Sequence, residues 1–142
     1  MTTIALALQA VRDRIERAAS HAGRRSSDIA LLAVSKTFPA SYIEEAHKAG
    51  QKAFGESYAQ EAVKKITELE HIGAQWHFIG PVQSNKTAQI ARCFSWVHSI
   101  EREKIAVRLD AAGNDLGGVT RACLLALTCL ARPMACFAGS VP

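Results

Sequence analysis

Residues 29–39 read IALLAVSKTFP, and this stretch decides the fold. Six apolar residues, 29–34, run without a polar interruption and give way at once to Ser35, Lys36 and Thr37. A continuous apolar run of this length predicts a strand buried on both faces, as in parallel sheets covered by helices. Lys36 then stands at the C-terminal end of that strand, which in α/β sheets and βα barrels is the face where chemistry is done. Pro39 disfavours helical geometry at Phe38, so the chain stays extended past the lysine. Position alone leaves two uses for Lys36 open. It can be a solvated residue that ends a strand, or a partly desolvated amine whose lone pair serves Schiff-base chemistry with an aldehyde.

Outward from this strand, helices and strands alternate. Before it, Ile4, Leu8, Val11, Ile15, Ala18 and Ala22 recur at three- and four-residue spacing, which predicts an amphipathic helix over 3–22 capped by Gly23. After it, Ser41-Tyr42-Ile43-Glu44 has the form of a capping box, opening a second helix that ends at Gly50. A short strand over 52–55 precedes the turn Glu56-Ser57, and Tyr58, Ala62, Ile66 and Leu69 mark one face of a third helix. Residues 75–80, QWHFIG, are strand-like and closed by Pro81; a helix follows over 84–94. WVHSI, 96–100, predicts a fourth strand before a helix over 101–112. Strands that alternate with helices in this way predict parallel βαβ units with right-handed crossovers, four of them in the first 112 residues.

The bulk composition is that of an ordinary globular domain: 142 residues, 49% hydrophobic and 21% charged. Seventeen Lys and Arg residues against 13 acidic ones are dispersed without a long run of one sign, which disfavours nucleic acid as a partner. Cys93, Cys123, Cys129 and Cys136 form no C-x-x-C pair and sit near no histidine cluster, so no metal site is predicted and reduced cytoplasmic thiols are expected. No secretory signal or membrane span is predicted: Gln9, Arg12 and Asp13 interrupt the first apolar stretch, and Arg132 and Pro133 interrupt that over 122–139. Residues 113–142 stand apart from 1–112. From Ala111 onward there is no lysine, glutamate or histidine, and the composition departs too far for a fifth βα unit, although Leu124, Leu125, Leu127 and Leu130 fit a helix.

Four blocks carry a resemblance. LAVSKT around Lys36, FGESY around Glu56 and Ser57, WHFIG with Gln83, Ser84, Asn85 and Lys86, and VHSI around His98 resemble, in order and spacing, the pyridoxal phosphate homeostasis protein family. The resemblance covers about residues 4–110. It implies a fold like the N-terminal domain of alanine racemase, a TIM-like (β/α)8 barrel of which about four units are present here. It implies pyridoxal 5'-phosphate (PLP) as cofactor, joined as a Schiff base to Lys36, with Ser57, His77 and Asn85 as further cofactor contacts. Family members are cytoplasmic and associated with vitamin B6 balance, without established turnover, so a regulator or carrier is expected rather than an enzyme. The family usually has asparagine where this chain has Ser57.

Each block also has a plainer use. His77 can be a core imidazole, Glu56 a structural ion pair, and Asn85 with Lys86 a helix cap. A barrel of this kind needs about 200 residues or more, so the chain is expected to be truncated or frameshifted after about residue 110. The alternatives are a racemase-like PLP enzyme using the same lysine, for which no tyrosine is placed by motif, and an inactive fragment. Protein partners and the regulated pathway are not predicted.

Overall fold

The structure, a computed structural model, describes residues 2–115 and 121–122. Helix α1 spans Thr3–His21, with the Thr2 hydroxyl accepting from the Ala5 N–H at its start. It closes through Gly23, whose φ of 65° lets the Gly23 and Arg24 amides fold back onto the carbonyls of Ser20 and Ala19. That left-handed step carries no Cβ penalty at glycine. The further elements are β1 (Ala33–Val34), α2 (Ala40–Lys48), β2 (Ala53–Glu56), α3 (Ala59–Glu68), β3 (Gln75–Phe78), α4 (Thr87–Cys93), β4 (Trp96–Val97), α5 (Glu103–Asp115) and β5 (Arg121–Ala122).

The five strands are all parallel and lie in chain order, β1-β2-β3-β4-β5. A doubly wound sheet reverses its strand order at a switch point and so covers both faces with helices. No reversal occurs here, and right-handed crossovers then put the helices of successive units on one face. The result is an arc of a (β/α)8 barrel.

Burial follows from this arc. In β3 the side chains of Trp76 and Phe78 are buried, while Gln75 is exposed and His77 lies between. Trp76 and Phe78 join Phe54, Val97, Ile43, Ala62, Ile90 and Phe94 in the core beneath the helices. Phe54 faces Trp76 in register, their rings 5.8 Å apart, and Phe78 meets the edge of Phe94 at 5.1 Å.

Several sequence expectations are corrected. The run 29–34 is not buried on both faces: only Ala33 and Val34 pair in the sheet, and Val34 is 49% exposed. Among the described residues β1 has a neighbour on the β2 side alone, and Val34 points to the face without helices. Ser41 does not form a capping box, because Pro39, at φ −69° and ψ 157°, occupies the cap position and α2 begins at Ala40. Glu44 instead meets His71 at 3.1 Å. Residues 84–86 form a 3-10 turn before α4. Arg121 and Ala122 form a two-residue strand that pairs with Trp96 and Val97. The helix expected on Leu124, Leu125, Leu127 and Leu130, and the cysteines Cys123, Cys129 and Cys136, lie outside the described residues. No described helix is long and apolar enough to cross a membrane.

The helix-side layer is the main source of stability in this arc, so Phe54→Ala is expected to cost about 3 to 5 kcal/mol, the range for emptying a buried phenyl site. Urea unfolding of the two proteins measures it; a loss under about 1 kcal/mol would show that the sheet is held by something other than this layer.

Candidate functional site

The turn after β1, the start of α3 and the loop after β3 enclose a cleft of about 620 Å³. Lys36, Ser57, Tyr58, Gly80, Pro81 and Lys86 line it, with Ile79 and Ile90 as apolar wall. Lys36 itself is exposed. The loops meet closely because residue 80 is glycine. A Cβ there would lie 2.8 Å from Ser57 Cα and still nearer the Ser57 carbonyl oxygen, so any side chain would push the two rim segments apart. Ser57 Oγ is buried at this contact and has no hydrogen-bond partner.

Beneath the rim, on the helix side, a polar network is buried. Glu56 is fully buried, and its Oε1 accepts from Ser35 Oγ at 2.7 Å and Lys65 Nζ at 3.0 Å. Lys65 also donates to the Ser35 carbonyl at 2.9 Å and pairs with Glu61 at 2.6 Å. Glu61 in turn accepts the Thr37 N–H at 2.8 Å. The hydrogen bond from Lys65 holds the Glu61 carboxyl below the usual carboxylate range; burial opposes this and the Thr37 amide reinforces it. Thr37 has φ 69°, an uncommon conformation for a β-branched residue, so the turn that carries Lys36 is held in place rather than relaxed.

On the opposite face of the sheet His77 and His98 meet, Nδ1 to Nε2, at 2.9 Å, and the His77 ring stacks on Trp96 at 5.8 Å. Burial, with His98 beside it, lowers His77 to about 4, and burial lowers His98 as well, so both imidazoles are neutral at pH 7. His77 Nε2 is buried without a partner. An orphaned acceptor is tolerated better than an orphaned donor, which assigns the His77 proton to Nδ1, donating to His98.

The structure thus brings Lys36 and Ser57 into one cleft, while His77 and Asn85 lie outside it. Asn85 is exposed, and neither it nor Lys86 caps α4 through its side chain. The N-terminal turn is held instead by Thr87 Oγ1, which donates to the Ser84 carbonyl at 3.0 Å. Glu56 is a structural ion pair, as its plainer use predicts. Tyr58, in the cleft wall, and Lys65 escape sequence reasoning: the apolar spacing places Tyr58 on a helix face, and the only trace of Lys65 is its i,i+4 spacing from Glu61. No group of three or more metal-binding side chains occurs among the described residues.

A lysine that lines a cleft of ligand size on the C-terminal rim of a parallel barrel arc is the arrangement in which βα-barrel proteins hold small molecules. No protein-family model matches the chain. It is 55% identical over 110 residues to the pyridoxal phosphate homeostasis protein of Pseudomonas aeruginosa, a match covering 78% of this chain and 48% of that protein. It is 52% identical over 113 residues to the protein of that name from Escherichia coli, with the same two coverages of 78% and 48%. Among solved structures, PipY of Synechococcus elongatus with PLP bound superposes with a TM-score of 0.69 at 40% identity, over 80% of this chain and 54% of that one. Over the matched stretch the chain is similar to pyridoxal phosphate homeostasis proteins, with about half of the residues identical. It spans about half the length of the curated relatives it matches.

The histidine pair yields a pH prediction. With its folded value near 4 against 6.5 for a free imidazole, His77 binds fewer protons in the folded than in the unfolded chain. Its contribution is therefore fully present above about pH 6.5 and is lost as the pH falls toward 4. An NMR titration of the ring protons checks this: His77 should show a midpoint near 4, and a midpoint at 6 or above would contradict the buried pairing with His98.

Proposed function

We propose that the chain binds PLP covalently at Lys36 and serves the intracellular balance of that cofactor, without catalytic turnover of its own. The observation that carries this is Lys36 lining a cleft of about 620 Å³, within the range of small-molecule sites. The residues present suit the group. Lys36 supplies the amine, Ser57 Oγ is a buried hydrogen-bonding atom without a partner at the same cleft, and Lys86 adds a second positive charge for an anionic ligand. His77 and Asn85 lie outside the cleft and supply no contact in this reading. The bound cofactor supplies an electrophilic aldehyde carbon and an electron-withdrawing ring; the lysine amine adds to that carbon and one water leaves. The kinship with homeostasis proteins and the PLP-bound PipY structure support the same reading. The reading puts the chain in the cytoplasm, with no nucleic-acid or membrane partner.

A second reading has a specific observation behind it. Tyr58 lines the same cleft as Lys36, and a racemase-like enzyme needs two acid/base groups around one substrate carbon. Amino-acid turnover that depends on both Lys36 and Tyr58 would favour it.

Borohydride trapping of the PLP-loaded chain, followed by peptide mapping, is expected to label Lys36 and not Lys48, Lys52 or Lys86. Lys36→Ala should abolish the label while changing stability by less than about 0.5 kcal/mol, as exposed substitutions do. Label on another lysine, or a large fall in the melting temperature of the variant without cofactor, would sink the assignment.

A further inference from the structure

The network beneath the rim does more than bury a carboxylate. Its hydrogen bonds converge on the two peptide groups that flank Lys36. Lys65 Nζ binds the carbonyl of Ser35, the residue before it, and Glu61 Oε1 accepts the N–H of Thr37, the residue after it. Glu61 and Lys65 are themselves joined at 2.6 Å, one turn apart on α3. We propose that Glu61 and Lys65 act as a clamp on the backbone around Lys36, positioning residues that set the direction in which its amine enters the cleft. The proposal rests on Lys36 being the attachment point.

Two features distinguish the clamp from general support. The Thr37 backbone is in the left-handed region, at the third position of a turn that the Phe38 N–H closes onto the Ser35 carbonyl at 3.1 Å, and Glu61 holds the amide of the central Lys36–Thr37 peptide of that turn. Moreover, α3 is already tied to β2 through Lys65 and Glu56 at 3.0 Å, so Glu61 is not needed to dock the helix. Its side chain is 36% exposed, and removing it leaves no buried group without a partner, since Lys65 keeps Glu56 and the Ser35 carbonyl. The part of Glu61 that cannot be replaced is its hold on Thr37. With that amide released, the Lys36–Thr37 peptide can rotate and the lysine side chain samples directions away from Ser57 and Lys86.

The test compares the 142-residue chain with Glu61→Ala and Glu61→Gln, the latter keeping an oxygen acceptor for the amide. Three quantities are read: hydrogen exchange of the Thr37 amide without cofactor, the rate of borohydride-trappable attachment of PLP at Lys36, and the circular dichroism of the bound chromophore. Glu61→Ala should unfold cooperatively near the wild-type temperature, exchange the Thr37 amide at least tenfold faster, attach PLP at least tenfold more slowly, and lose most of the induced dichroism. Glu61→Gln should restore a substantial part of all three. A purely structural role would move the melting temperature and leave attachment and dichroism alone. If Glu61→Ala attaches PLP within twofold of wild type with unchanged dichroism, the clamp is overturned while the assignment of Lys36 stands. If the wild-type chain is trapped at a different lysine, the assignment falls and the clamp with it.

Discussion

Burying the carboxylate of Glu56 is the constraint around which the lysine-bearing end of the sheet is built. A carboxylate with no exposure must find charge and hydrogen bonds inside the protein, because an unpaired buried charge costs several kcal/mol. Lys65 supplies the charge from α3 and Ser35 supplies a hydroxyl from the end of β1. Pairing Oε1 of this one β2 side chain therefore draws in the neighbouring strand end and the following helix, while Oε2 is buried without a partner. Lys65 has further donors to place, and they go to the Ser35 carbonyl and to Glu61, which extends the network to Thr37. A buried ion pair is weak evidence for net stability. Here its effect is geometric, since it defines where β1 ends and how the turn at Lys36 is held.

The two faces of the sheet divide the work. Side chains toward the helices are apolar and close-packed, and they include Phe54, Trp76, Phe78 and Val97. Those on the other face are mixed: Val34, His77 and His98 lie there, with Trp96 stacked on His77. Period-two alternation in short strands makes this possible, since one strand can contribute both to a core and to a polar interior. The cleft lies above both, where loops free of packing duties come together, and Gly80 is the residue that allows two of them to touch.

Kinship and geometry bear on different parts of the chain. Identity above 50% to homeostasis proteins extends over 78% of the chain, and the rim residues from β1, β2 and β3 all lie within it. What the arc contributes by itself is a lysine, a neighbouring hydroxyl and a second lysine in one cleft, with the backbone on both sides of the first lysine hydrogen-bonded to α3.

The alternation of strand and helix, the parallel sheet, the helix ends at Gly23 and Gly50, and the place of Lys36 at a strand terminus were all determined by the sequence alone. Each rests on short-range chemistry, in hydrophobic periodicity, glycine at positive φ or proline after a strand. Tertiary structure decided the rest. Ser41-x-x-Glu44 had the spacing of a capping box, yet Pro39 took the cap position and Glu44 turned to His71 across 27 residues. Val34 belonged to an apolar run and is half exposed, because burial depends on what covers a strand and not on its own composition. Lys65 looked like one more helix lysine. It became buried because Ser35, 30 residues earlier, and Glu56, on the adjoining strand, had polar groups to satisfy, and no local pattern records a partner that only the fold brings near.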